Sequence, residues 1–259
     1  MSGALRGKRV LVTRPEAQAG SLAALIAAHE GAAVCIPLID IAPVEDWQPL
    51  DDALVRLDSF SLAVFISPNA VEFGLSRILS RRPWPQTLRA AAIGPGTVRR
   101  LGDSGITGVI VPEGRFDSEA LLDLPAFQAG QIAGKNVLIL RGNGGRELLA
   151  ETLRVRGASV ECVTCYHRSA PADGTALMSL LRNNRLDAVT LSSSEGLRNL
   201  LELLDTGSRE RLLALPVFVP HQRIAEEARR LGLRRVVLTG PADAGLVEGL
   251  CNFSWLDHE

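Results

Sequence analysis

A segment of about 125 residues occurs twice in this chain, and that repeat limits the fold more than any other feature. Gly7-Lys8-Arg9-Val10-Leu11-Val12-Thr13-Arg14 is matched by Gly134-Lys135-Asn136-Val137-Leu138-Ile139-Leu140-Arg141, and Gly31-Ala32-Ala33-Val34 by Gly157-Ala158-Ser159-Val160. Ala63-Val64-Phe65-Ile66-Ser67 and Ala92-Ile93-Gly94-Pro95 find counterparts in Ala188-Val189-Thr190-Leu191-Ser192 and Val217-Phe218-Val219-Pro220. The four pairs lie 127, 126, 125 and 125 residues apart, a constancy expected of two copies of one unit.

Each copy repeats one local theme. A short run rich in Val, Ile and Leu ends at a cluster of Ser, Thr, Gly, Pro or Arg, and a segment of helical periodicity follows. After Val10–Val12, Pro15 is placed for the first helical turn and Glu16 for its dipole; Leu22, Leu25 and Ile26 line one face up to a stop at Gly31. After Ala188–Leu191, Ser194 is placed to cap a helix whose core face carries Leu197, Leu200, Leu201 and Leu204. Strands alternating with helices mean βαβ units, and so parallel sheets covered on both faces. With about four or five strands per copy, the expectation is an α/β protein of two flavodoxin-like, doubly wound domains.

Composition removes several function classes. The chain has 259 residues, 46% of them hydrophobic, enough for a sizeable core. Lys and Arg number 28 against 29 Asp and Glu, so no general basic field favours nucleic acid or an anionic membrane. Seven Phe, three Trp and one Tyr make a poor platform for stacking unpaired bases. The N-terminal residues lack the apolar stretch of a secretory signal and no apolar run approaches a membrane span, so a cytoplasmic protein is expected.

Cys35, Cys162, Cys165 and Cys251 do not make a disulfide framework in a chain of this length. Cys162 and Cys165 have Cys-x-x-Cys spacing but sit in a β-branched run, so they read as small buried strand residues. His29, His167, His221 and His258 show no metal-ligand spacing, and His29 falls at the end of an exposed helix face. No Gly-x-Ser-x-Gly elbow occurs. Gly142–Arg146 lacks the Lys-Ser/Thr of a P-loop, and Gly94-Pro95-Gly96 lacks the third glycine of a dinucleotide fingerprint, Arg99 standing there.

In open parallel sheets, ligands bind beyond the C-terminal strand ends. The loops expected there share a composition: Thr13-Arg14-Pro15, Ser67-Pro68-Asn69-Ala70, Gly94-Pro95-Gly96-Thr97, Arg141-Gly142-Asn143-Gly144-Gly145-Arg146, Ser192-Ser193-Ser194-Glu195-Gly196 and Pro220-His221-Gln222-Arg223. Small residues, hydroxyls and free amides at helix N-termini suit an anion with several negative groups. Capping and turning alone would explain any one of these loops, but not two Arg flanking Gly-Asn-Gly-Gly. The lone tyrosine, Tyr166, follows the strand that closes the first βαβ of the second copy. Its counterpart segment is Pro37-Leu38-Ile39-Asp40, so both are candidates for the connection between domains, where a phenol either packs or donates a proton. The tail from Cys251 to Glu259 either frays or docks through Trp255.

Taken in order, Val10–Pro15, Phe65–Val71, Ile93–Thr97, Leu140–Arg146, Val163–Arg168 and Ser193–Leu197 resemble the uroporphyrinogen-III synthase family over about residues 7 to 250. The resemblance implies a discontinuous organisation that the repeat alone would misassign. Residues 1–36 and 171–259 would form one domain and 43–163 the other, with 37–42 and 164–170 as linker strands. It implies a lyase of haem biosynthesis that cyclises hydroxymethylbilane, losing water and inverting ring D, without cofactor or metal. It also implies a monomer, with transient contact with the preceding pathway enzyme as its only macromolecular partnership. Tyr166 matches the family tyrosine proposed to assist the leaving hydroxyl, and Ser67, Thr97 and Ser194 match substrate-contacting hydroxyls. Loop composition adds Arg14, Arg141 and Asn143. Pro220-His221-Gln222-Arg223 departs from a Gly-x-Thr-type loop, leaving His221 or Arg223 to substitute for a hydroxyl. Two other readings stay open at this stage: a non-catalytic two-domain binding protein for a small polyanion, and a transferase acting on a nucleotide-activated substrate.

Overall fold

The computed structural model describes residues 3–145 and 147–255, and the backbone alone at Ala17. Arg146, His258 and the tail from Leu256 therefore lie outside the described residues. Among the described residues there are ten strands: β1 (Arg9–Val12), β2 (Ala32–Cys35), β3 (Asp40–Pro43), β4 (Leu62–Phe65), β5 (Arg89–Ala92), β6 (Asn136–Gly142), β7 (Ser159–Ser169), β8 (Ala188–Thr190), β9 (Val217–Val219) and β10 (Val236–Leu238). They form two five-stranded sheets, β10-β9-β8-β1-β2 and β3-β7-β6-β4-β5. In the first sheet every pairing is parallel, and in the second β7, β6, β4 and β5 are parallel. This is a mixed α/β fold with parallel sheets. One compact unit takes the chain up to Asp40 and from Ser169 onward; the other is Ile41–Arg168. No helix among the described residues is long and apolar enough to cross a membrane.

The repeat maps onto the strands in a way its period could not disclose. Its four landmark pairs are β1 with β6, β2 with β7, β4 with β8, and β5 with β9. A parallel bridge between Ala91 and Ile110 holds the place in the second sheet that β10 holds in the first. The copies exchange halves: β1 and β2 of the first copy stand beside β8, β9 and β10 of the second, while β6 and β7 stand beside β4 and β5. Reading each copy as one domain is thus corrected. A repeat period records similarity along the chain, whereas sheet order is decided by which strands pair.

The inner strands of both sheets are buried on both faces, as near-continuous apolar strands require, while the edge strands β2, β3 and β10 are partly exposed. Leu11 packs into one cluster of the first unit and Val10 and Val12 into the other. In the second unit Phe65, Leu138 and Leu140 face one cluster, and Val64, Val137 and Ile139 the opposite one. Hydroxyls interlock the middle of the first sheet: Thr13 Oγ1 donates to the Thr190 carbonyl at 2.8 Å and Thr190 Oγ1 to the Leu11 carbonyl at 2.9 Å, both buried.

Several local expectations shift by one residue. Pro15 is the N-cap of the helix Glu16–Ala28 and not part of its first turn, because its ψ of 144° is extended. Ser193, not Ser194, caps the helix Ser194–Leu203, accepting from the Gly196 N–H at 2.9 Å. The left-handed residue closing Glu16–Ala28 is Glu30 (φ 65°). Gly31 is needed for space instead: a Cβ there would lie 2.9 Å from both Ile26 Cγ2 and Leu5 Cβ. Trp255 docks, its ring 5.0 Å from that of Phe253.

Candidate active site

The C-terminal edge of the second sheet concentrates polar groups on four strands. β4 delivers Ser67, β5 leads through Gly94 into the helix Pro95–Asp103 with Thr97 in its first turn, β6 ends on Arg141 and Gly142, and β7 carries Tyr166. The Tyr166 hydroxyl lies 2.9 Å from Ser67 Oγ, which also accepts the Ala70 N–H at 3.1 Å. Tyr166 is 3% exposed, whereas Ser67 is half-buried. The contact thus links a buried phenol to a half-buried serine.

Three backbone features place the phenol, and only one of them, Gly142, has a sequence signal. The β6–β7 register runs evenly to Arg141 opposite Thr164 and then skips, setting Gly142 opposite Tyr166. Strand alternation would send Cys165 and Tyr166 to opposite faces; the bulge brings both into the same cluster. Gly142 leaves room for the ring, since a Cβ there would lie 2.6 Å from Tyr166 Cε2 and Cζ. After Ser67 the chain enters a π-helical stretch, Ala70–Leu75, which sets Phe73 against Tyr166 at 6.1 Å between centroids and 29° between ring planes.

Burial pushes the Cys165 thiol up to about 12, so it is a neutral core group. No Cys162–Cys165 disulfide forms. In the native protein a thiolate-directed alkylating reagent is expected to modify exposed Cys35 and spare Cys165. Mass mapping after labelling would show it, and rapid native labelling of Cys165 would contradict this burial.

The corresponding edge of the first sheet carries Arg14 after β1, Ser194 after β8, and His221 and Arg223 after β9. The Arg14 guanidinium is ion-paired with Asp243. Ser194 Oγ is buried beside the Glu227 carboxylate, close enough to help hold it below the ordinary carboxylate range, with Arg198 next, though not aligned as a hydrogen bond. Arg198 Nη1 donates to Glu227 Oε1 at 2.6 Å. His221 is the exposed N-cap of the helix Gln222–Arg230 without a side-chain capping bond, and Arg223 is exposed in its first turn.

Comparison with known proteins converges on one family. The family model described as "Uroporphyrinogen-III synthase HemD" matches residues 20–248. The chain belongs to the uroporphyrinogen-III synthase family. Among its relatives, the uroporphyrinogen-III synthase of Escherichia coli (strain K12) is 35% identical over 237 residues, 90% of this chain and 96% of the relative. That of Synechococcus elongatus is 31% identical over 205 residues, covering 77% and 76%. A solved uroporphyrinogen III synthase from the extremely thermophilic bacterium Thermus thermophilus shares the fold at a TM-score of 0.60 and 16% identity, covering 94% and 97%. The enzyme from Helicobacter pylori 26695 does so at 0.57 and 16%, with the same coverage.

Within this member of the synthase family, the residues singled out from sequence fall into two groups. Ser67 and Tyr166 are in direct contact, and Thr97, 3% exposed, stands on the same sheet edge. Arg141 and Asn143 stand there too, but their polar atoms are engaged within the unit. Arg141 pairs with Glu147 at 2.7 Å and donates to the Gly144 carbonyl at 2.6 Å. Asn143 donates to the Arg168 carbonyl at 3.1 Å and accepts the Arg168 N–H at 2.6 Å. Sequence reading missed Gly142, Phe73, Asp243 and Glu147. Only Gly142 carried a signal, as the glycine closing a strand directly after an arginine.

Proposed function

We propose that the chain closes hydroxymethylbilane to uroporphyrinogen III, with Tyr166 and Ser67 handling the proton of the departing hydroxyl. The family supports the reaction, and the 2.9 Å contact between the two hydroxyls carries the assignment of roles. As the C–O bond of the substrate's terminal hydroxymethyl group breaks, Ser67 gives its proton to the leaving oxygen, forming water. Tyr166 replaces that proton on Ser67. The developing azafulvene cation then faces a phenol that has given up a proton, an electrostatic stabilisation in a site of low dielectric constant. The substrate is already reactive, so most of the enzyme's work is conformational: holding the chain ends for spiro closure at ring D in preference to direct closure.

The binding set we propose is Arg14, Ser67, Thr97, Arg141, Asn143 and Ser194. Helix N-termini and their amides favour the substrate's eight carboxylates without a basic surface. Arg14, Arg141 and Asn143 reach a carboxylate by exchanging Asp243, Glu147 and Arg168, so each such contact replaces an existing one. We further propose two flavodoxin-like domains, 1–36 with 171–259 and 43–163, joined by 37–42 and 164–170. The order β2-β1-β8-β9-β10, which is 2-1-3-4-5 in that unit's own numbering, supports this. A cytoplasmic monomer that contacts the preceding pathway enzyme transiently completes the reading.

The deciding experiment incubates the protein with freshly generated hydroxymethylbilane and separates the oxidised porphyrin isomers. Type III product above a protein-free control is expected. Type I alone, at the control rate, would overturn the proposal.

A further inference from the structure

At the N-terminal edge of the first sheet, opposite the edge that carries Arg14 and Ser194, lies a cavity of about 600 Å³. That size falls within the roughly 300–1,000 Å³ typical of small-ligand sites. Three cations line it: Lys8, just before β1; Arg211, on the helix Thr206–Ala214; and Arg235, just before β10. None has a carboxylate partner among the described residues. The one carboxylate in the wall, Asp187, is committed to Arg9, accepting its backbone N–H at 2.7 Å with the guanidinium 3.8 Å away. In a chain with net charge −1, three like charges around one hollow are a local concentration, disfavoured by their mutual repulsion unless an anion joins them.

Two aromatic rings share the wall with Asn184 and a few aliphatic residues. Phe253 and Trp255 meet edge to face at 71°, with Lys8 Nζ 5.3 Å from the Trp255 centroid and Arg235 Cζ 5.5 Å from that of Phe253. The Trp255 indole N–H is buried and finds no acceptor among the described residues, which calls for an explanation in a native structure. The equivalent edge of the second sheet serves as an internal control. Lys135 stands where Lys8 does, but that hollow is about 300 Å³, includes Asp58 and has no indole in its wall. That wall also holds Phe60 and Arg89, so what is particular to the first unit is the third cation and the indole beside a second ring.

We infer that this cavity is a second binding site, for an organic anion bearing a flat unsaturated ring and at least two carboxylate or phosphate groups. Lys8, Arg211 and Arg235 take the charges, and Phe253 and Trp255 take the ring. None of these residues belongs to the catalytic and binding set proposed above.

Three tryptophans make the test direct, because the amide spectrum of ¹⁵N-labelled protein contains three indole N–H signals. Trp255→Phe assigns one of them. Titration with adenosine diphosphate and with benzene-1,2-dicarboxylate is expected to shift that signal saturably, and the tighter of the two names the ligand's source. Inorganic phosphate should bind at least about tenfold more weakly, as should the ring-bearing anions to Lys8→Ser or Arg235→Ser, each lacking one charge-assisted contact. No shift by about 5 mM ligand, an equal response to phosphate, or unchanged affinity in both variants would overturn the proposal.

Discussion

Tyr166→Phe and Ser67→Ala are each expected to lower turnover by about 10²-fold, with the double variant little slower than either alone. The phenol is 3% exposed and its hydroxyl touches Ser67 Oγ, so in the proposed relay its proton passes to the substrate by way of the serine. Residues acting in series fail as a unit, and removing the second member takes away nothing further. Fold should be spared in Tyr166→Phe. The ring stays against Phe73, and Ser67 Oγ still accepts the Ala70 N–H at 3.1 Å, so the loss is one hydroxyl contact, about 1 kcal/mol. Saturating turnover of hydroxymethylbilane and thermal melts of the three variants check this. An unchanged rate in Tyr166→Phe removes the phenol from the reaction, and multiplicative losses in the double variant would show that the two hydroxyls act separately.

What the sequence discloses is what short-range physics decides. Val10–Val12 and Ala63–Phe65 are strands because apolar, partly β-branched runs between polar turns have little else to become, and the structure places β1 and β4 there. Leu197, Leu200 and Leu201 are buried because their spacing puts them on one helix face. What stays hidden depends on partners remote in sequence. Arg14 reads as a free cation until Asp243, 229 residues on, pairs with it. Asn143 reads as a ligand until its amide is found bonded both ways to Arg168. Tyr166 faces Ser67 because of a one-residue slip in register, and sequence carries no mark of where a ladder skips. Near-neutral composition is also less restrictive than it first reads, since Lys8, Arg211 and Arg235 gather at one hollow within a balanced total.

Gly142→Ala should cost nearly as much activity as losing the phenol, and stability as well. A Cβ at this position would sit 2.6 Å from Tyr166 Cε2 and Cζ and 3.0 Å from its hydroxyl oxygen, so the ring must move. It is held between Phe73 and the buried cluster that includes Cys165, and any rotation away from Gly142 alters the contact with Ser67. Overpacking of this kind costs about 1–3 kcal/mol. Turnover should fall by about 10²-fold because the displaced hydroxyl no longer re-protonates Ser67. The cause can be isolated by shrinking the ring. In a Tyr166→Leu background the added methyl finds space, so Gly142→Ala should then lose little or no further stability, while activity stays low for want of a phenol. Gly130→Ala, with nothing within 4 Å of its Cβ on the helix Ala129–Ile132, is the neutral control. Melting temperatures and turnover of these five proteins, wild type included, settle the matter. Full activity and an unshifted melt in Gly142→Ala would mean that the glycine does not constrain the ring, and that the bulge in β7 alone aims Tyr166 at Ser67.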